Sequence, residues 1–142
     1  MINKFIHWLR VKSVKREQII KCERDAIKAD MDGELNSQPA KDLEKGIHEI
    51  ELHIKDLNHE ADEFERQADA IAGDETMDPK LRYDKAAELR QSVRDKRNEI
   101  PDQEKLIEDY KKAIQQFKGA VANSRRLAQA HRVKAEFIRQ NY

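Results

Sequence analysis

Residues 43–71, LEKGIHEIELHIKDLNHEADEFERQADAI, put Leu43, Ile47, Ile50, Ile54, Leu57, Ala61, Phe64, Ala68 and Ile71 at alternating steps of four and three, without a slip. A seven-residue repeat of this kind winds one apolar stripe along a helix and needs a second stripe to cover it. Counting in the same steps from Arg82 gives such a stripe. It passes through Ala86, Leu89, Val93, Lys96, Ile100, Gln103, Ile107, Tyr110, Ile114, Phe117, Val121, Ser124, Ala128, His131, Ala135, Ile138 and Tyr142.

Between the two stripes lies AGDETMDPK, with Gly73 just past one helix and Asp78 placed to cap a helix that starts at Pro79. Two stripes joined by a short turn predict an all-α fold, a long antiparallel coiled-coil helical hairpin with its tip near 73–78. Each methylene removed from water contributes about 0.8 kcal/mol. On this reading 43–71 lie beside roughly 82–110, and 111–142 beside 10–41.

Two prolines test the pattern. An interior proline lacks a donor and clashes with the carbonyl four residues back. At Pro101 two readings stand: one helix continuing with a kink, or a break in NEIPDQE that opens another helix. The unbroken register favours continuity. Upstream, Gly33, Asn36, Ser37 and Pro39 cluster in DGELNSQP, which predicts that a separate N-terminal helix from Ile2 stops near Met31. The expected organisation is an N-terminal helix over 1–35 and a hairpin over 36–142, with Ser37 or Gln38 capping its first arm.

Composition narrows the function. With 39% charged and 6% aromatic residues among 142, the chain is poor material for a thick globular core. The seven-residue period argues against disorder. A single cysteine, Cys22, excludes an internal disulfide framework and suits a reducing compartment. No stretch approaches the ~20 apolar residues that span a bilayer, and MINKFIHWLRVKSVKR lacks the apolar region of a secretory signal.

The formal net charge is zero, but the charges are zoned. Residues 1–22 hold six Lys/Arg against one acid, 23–110 hold 14 against 26, and 111–142 hold eight against one. An antiparallel hairpin brings the two basic segments together, which suits an anionic surface. The N-terminal stretch sharpens this. Ile2, Phe5, Ile6 and Leu9 share one face; Lys4, Arg10, Lys12, Lys15 and Arg16 lie mostly around it; Trp8 sits at the boundary; no acid precedes Glu17. That is the make-up of an interfacial amphipathic helix. The competing reading packs the same face on the end of the coiled coil.

Chemistry-bearing constellations are sparse. His48 and His53 in HEIELH are five apart and diverge on a helix, so they cannot share a metal as an i, i+4 pair does. His59 and Glu63 have the right spacing but no third ligand, and His131 falls on the stripe. There is no glycine-rich phosphate loop, nucleophile elbow or Cys/His cluster, so neither a catalytic residue, a metal nor a cofactor is expected. Phe117, Tyr110 and Phe137 are too sparse for base stacking, which makes nucleic acid an unfavoured partner.

EADEFERQADAI (60–71), KAAEL (85–89) and LIEDYKKAIQQFKGAVANSRRLAQAHRVKAE (106–136) together resemble the helical hairpin of the phage-shock protein A family. That family includes the vesicle-inducing protein in plastids and is the bacterial branch of the ESCRT-III-like superfamily. Ile107, Glu108, Tyr110, Lys111, Ile114, Phe117, Val121, Arg125, Arg126 and Leu127 occupy the corresponding places of its return helix. The resemblance implies an N-terminal helix, here Ile2 to Arg16, that binds anionic membrane lipids from the cytoplasmic side, and a hairpin that stacks into homo-oligomers. It also implies that the aromatic before the tip, here Phe64, contacts a protein partner such as an AAA+ transcriptional activator. Two departures accompany it. The chain ends where the family's further helices would begin, and Pro39 and Pro101 fall where the family runs continuous helix. A divergent member that regulates rather than remodels reconciles both.

Overall fold

The computed structural model describes residues 2–141, and these form two helices, α1 (Ile2–Ala72) and α2 (Pro79–Asn141), with no strand among the described residues. The helices pack antiparallel as an all-α hairpin. Two compact units make it up: residues up to Lys41 together with those from Ile114 onward, and Asp42–Ala113.

The tip forms as its sequence dictates. Gly73 N–H donates to Asp69 O at 3.1 Å and Asp74 N–H to Ile71 O at 3.1 Å, closing α1. Asp78 Oδ2 then accepts from Leu81 N–H at 3.2 Å, the N-terminal cap of α2. Asp74 organises the turn between them, its Oδ1 accepting from Thr76 N–H at 3.0 Å and from the Thr76 hydroxyl. Gly73 does not adopt a left-handed conformation, so glycine's freedom there is not what ends the helix.

The predicted stripe on α2 is the buried face. Every position from Arg82 to Ile138 counted above is buried or half-buried, while Tyr142 lies outside the described residues. In the second unit Leu57, Ala61 and Ala68 on α1 meet Ala86, Val93 and Ile107 on α2 as the covered core. Ion pairs flank it: Arg97 reaches Glu65 at 2.7 Å and Asp62 at 3.4 Å, Arg90 reaches Asp69 at 3.7 Å, and Lys96 reaches Glu60 at 3.0 Å. Hydrogen bonding to Glu60 and its charge raise Lys96 above the ordinary lysine value. These pairs are largely exposed, so each contributes little to stability.

Three expectations are corrected. First, the N-terminal helix does not stop near Met31; α1 runs unbroken through Gly33 and Pro39. Counting the α1 stripe backwards from Leu43 shows why. Ala40, Asn36, Gly33, Ala29, Ala26, Cys22, Ile19 and Lys15 continue the same steps of three and four, and all are buried or half-buried. Packing on this face overrides local propensity. Second, neither Ser37 nor Gln38 caps a new helix, since both lie inside α1. The Asn36 and Ser37 side chains donate backward to Asp32 O at 2.9 Å and Glu34 O at 2.8 Å, a bonding mode that leaves the helix intact.

Third, the arms pair about one turn further along than expected. Arg82 folds over the tip, Nη1 donating to Asp74 O at 3.1 Å, instead of facing α1's last apolar turn. The offset is visible in both units. In the second, Tyr110 lies against Gly46, and in the first, Ala128 clusters with Ala26 and Ala29, and Ala135 with Cys22. α2 is likewise one helix through Pro101, so the break reading fails. Pro101 is exposed, on the outer face, where water can reach the carbonyl its ring leaves without a donor.

Glycines on the two faces should respond differently to alanine. A Cβ at Gly119 meets nothing within 4 Å, whereas one at Gly46 would lie 3.0 Å from the Tyr110 ring. Gly119→Ala is expected to stabilise by about 0.8–1 kcal/mol through helix propensity, and Gly46→Ala by clearly less, read as thermal midpoints by circular dichroism. A second expectation concerns Asp74, whose carboxyl is held below its ordinary value of 3.8 chiefly by the Thr76 side chain. Its contribution to stability is therefore present above the ordinary aspartate range and is lost as pH falls through the folded-state value. In a carbon-detected NMR titration the Asp74 midpoint should lie below 3.8 and rise in Thr76→Val.

Candidate functional site

The offset of the arms leaves α1 longer than its cover in the first unit. Arg139, in the last turn of α2, pairs with Glu23, and Ile138 clusters with Cys22 and Ile19. Residues 2–14 of α1 lie beyond them, and every one is exposed. This overhang carries all the predicted membrane-facing residues: Ile2, Lys4, Phe5, Ile6, Trp8, Leu9, Arg10 and Lys12. Among the described residues this face is exposed rather than packed against α2.

The overhang is apolar on more than one side. Ile2 is 76% and Phe5 60% exposed, and Ile6, Trp8, Leu9, Val11 and Val14 are each exposed by more than two fifths. An isolated helix with this much uncovered apolar surface is unusual in water. Two contacts order its side chains. The Phe5 and Trp8 rings stack with centroids 6.0 Å apart, and Lys12 Nζ stands 4.2 Å above the Trp8 ring. The cation sits over the negative face of the indole, an attraction of roughly 0.5–1 kcal/mol at an exposed site. Phe5, Trp8 and Lys12 fall on the continuation of the seven-residue seam of α1 and are exposed among the described residues.

Charge separates by unit. The first unit holds 15 Lys/Arg and seven acids, the second 13 and 21. Residues 1–22 and most of the second basic segment thus belong to one unit, Lys111 and Lys112 falling in the other, with net charge +8 against −8. Within the first unit Arg132 pairs with Asp30 and Arg139 with Glu23, tying the basic end of α2 to acids of α1.

The other candidates are placed differently. Phe64 occupies a seam position in the second unit and is half-buried against α2, leaving only part of its ring accessible. The widely exposed aromatic near the tip is Tyr83, 74% exposed beside Leu81, which pattern reading passed over because it stands off the stripe. His48, His53 and His59 are exposed. Among the described residues no group of three His, Cys, Asp or Glu is placed to hold a metal ion, and no helix is long and apolar enough to cross a membrane. A second exposed apolar stripe, Ile20, Ile27, Met31 and Leu35, lies along the outside of α1 in the first unit. It too was legible only once the seam through Cys22, Ala26 and Gly33 was known, because that seam defines which face is left over.

No family model matches the chain, and no curated protein or solved structure matches it.

The overhang has only its own helical hydrogen bonds to protect it. Amide exchange of residues 4–12 should run at least about a hundredfold faster than that of Cys22–Ala29, as measured by mass spectrometry on the intact chain. Equal protection would mean that the segment is covered in solution.

Proposed function

We propose that this chain is a non-enzymatic, membrane-associated coiled-coil protein. Its N-terminal overhang binds anionic lipid from the cytoplasmic side, and copies associate for membrane maintenance or remodelling. The observation that carries the reading is the overhang. Residues 2–14 have no covering helix, and they combine seven large apolar side chains with Lys4, Arg10 and Lys12, with no acid. Lys15 and Arg16 extend the basic run before Glu17.

The energetics suit a surface-lying helix. Each lysine or arginine near an anionic bilayer contributes about 1 kcal/mol, and partial burial of Phe, Ile and Leu side chains adds on the order of 1 kcal/mol each. Pairing between two such overhangs is disfavoured, because both are strongly basic and would bring Lys12 against like charge. The likeness to the phage-shock protein A hairpin supports the same reading, including the stacking of copies and a protein partner at the tip near Phe64.

A second reading is favoured by a different face. The stripe Ile20, Ile27, Met31 and Leu35 lies among Glu23, Asp30 and Glu34, which suits a helix of a protein partner better than an anionic lipid. On this reading the chain is a soluble adaptor or inhibitor.

Vesicle co-sedimentation separates the two. The full chain is expected to pellet with vesicles containing anionic lipid and weakly or not at all with phosphatidylcholine alone, with binding reduced by raising salt. Ile6→Gln with Leu9→Gln should lower the bound fraction at least tenfold while leaving helix content unchanged. Negligible binding to both vesicle types, unaltered by the double substitution, would leave the adaptor reading.

A further inference from the structure

Glu23, Asp30 and Ser37 stand at seven-residue steps along one edge of α1, and Arg139, Arg132 and Arg125 at the same steps along the facing edge of α2. All six belong to the first unit. The first two levels are ion pairs, Glu23 with Arg139 and Asp30 with Arg132. Antiparallel helices advance in opposite directions, so the next level sets Ser37 against Arg125. The packing beneath agrees. A Cβ at Gly33 would lie 3.4 Å from the Ser124 Cβ, which brings the turn leading to Ser37 against the turn that holds Arg125. The second unit, taken alone, follows the same rule where Arg97 meets Glu65 at 2.7 Å. At the third level of the first unit the acid is missing. Ser37 is half-buried and its hydroxyl donates to Glu34 O at 2.8 Å, while Arg125 is exposed and makes no ion pair among the described residues.

We propose that Ser37 is a phosphorylation site and that its phosphate pairs with Arg125, adding a third rung to the two already present. The Ser37 oxygen attacks the terminal phosphorus of a nucleoside triphosphate held by a protein kinase. The bond from that phosphorus to the bridging oxygen breaks, the nucleoside diphosphate leaves, and the hydroxyl proton passes to a base of the kinase. The product carries close to two negative charges and three acceptor oxygens, which the planar guanidinium fork of Arg125 binds through parallel hydrogen bonds. Along α1 itself Glu34, one turn back, opposes this charge, and Lys41, one turn on, offsets it. The surrounding sequence also supplies access. Gly33, Asn36, Ser37 and Pro39 are poor helix formers held in α1 by packing, and Pro39 offers no donor to the carbonyl four residues back. This turn therefore opens into the extended form that a kinase grips at lower cost than its neighbours do. The inference does not depend on lipid binding, since it concerns how the arms are fastened to each other.

The test uses the full chain with phosphoserine placed at position 37 by stop-codon suppression, and follows its phosphate by phosphorus NMR. The second ionisation of a phosphoserine lies at about 6, and a facing guanidinium lowers it. The midpoint is expected at least about half a pH unit lower in the native background than in Arg125→Gln. Arg126→Gln removes the same charge from the next residue and should leave the midpoint nearly where it was. The phosphate should also slow amide exchange over residues 33–40 at least about threefold, an effect lost in Arg125→Gln. Circular dichroism checks that each variant keeps its helix content. Equal midpoints in the native and Arg125→Gln backgrounds, or a drop of the same size on removing Arg126, overturn the pairing. Occurrence is read by mass spectrometry of peptides from the chain isolated from its own cells, in growth and under stress. Phosphate on Ser37 is the expected result. Phosphate only on other hydroxyls, or none, overturns the modification site whatever the NMR shows.

Discussion

The structure depends on phase. Each helix keeps its seven-residue repeat over most of its length, and each repeat is the cover for the other. Neither arm has a core of its own, and a two-helix layer buries few residues fully, so stability is distributed over many small layers rather than concentrated in one centre. This explains how two prolines, a buried glycine and an asparagine can all occur inside helices. No single local preference is strong enough to set aside a register that every neighbouring turn supports.

The layers are not uniform. In the first unit small side chains, Cys22, Ala26, Ala29 and Gly33 on α1 and Ser124, Ala128 and Ala135 on α2, are joined by the buried Ile114 and Ile138. Small side chains let backbones approach closely but remove little apolar surface from water. In the second unit Leu57, Val93 and Ile107 supply larger buried groups. The first unit also holds the overhang, and the ion pairs of Asp30 with Arg132 and Glu23 with Arg139 fasten its end.

Much of this was legible in the letters. The stripes over 43–71 and 82–138, the turn from Gly73 to Asp78 and the α2 cap at Asp78 all follow from period and turn chemistry, and Pro101 fails to interrupt them. The stop near Met31 misled because Gly33, Asn36, Ser37 and Pro39 are breakers by type, while the seam that overrules them is built of alanine, cysteine and glycine, which a count of large apolar residues does not register. The overhang's composition was readable, but its exposure was not. Exposure depends on the exact pairing of the arms, which period alone does not fix to within a turn.

The antiparallel register also restricts how such a chain can change in length. One residue inserted in either arm would turn everything beyond it by about 100° and carry the seam to the outside. Growth or shrinkage within the paired region is cheap only as whole sevens, taken in both arms at matching levels. The exposed leading segment is under no such register rule, so only the surface it meets constrains its length.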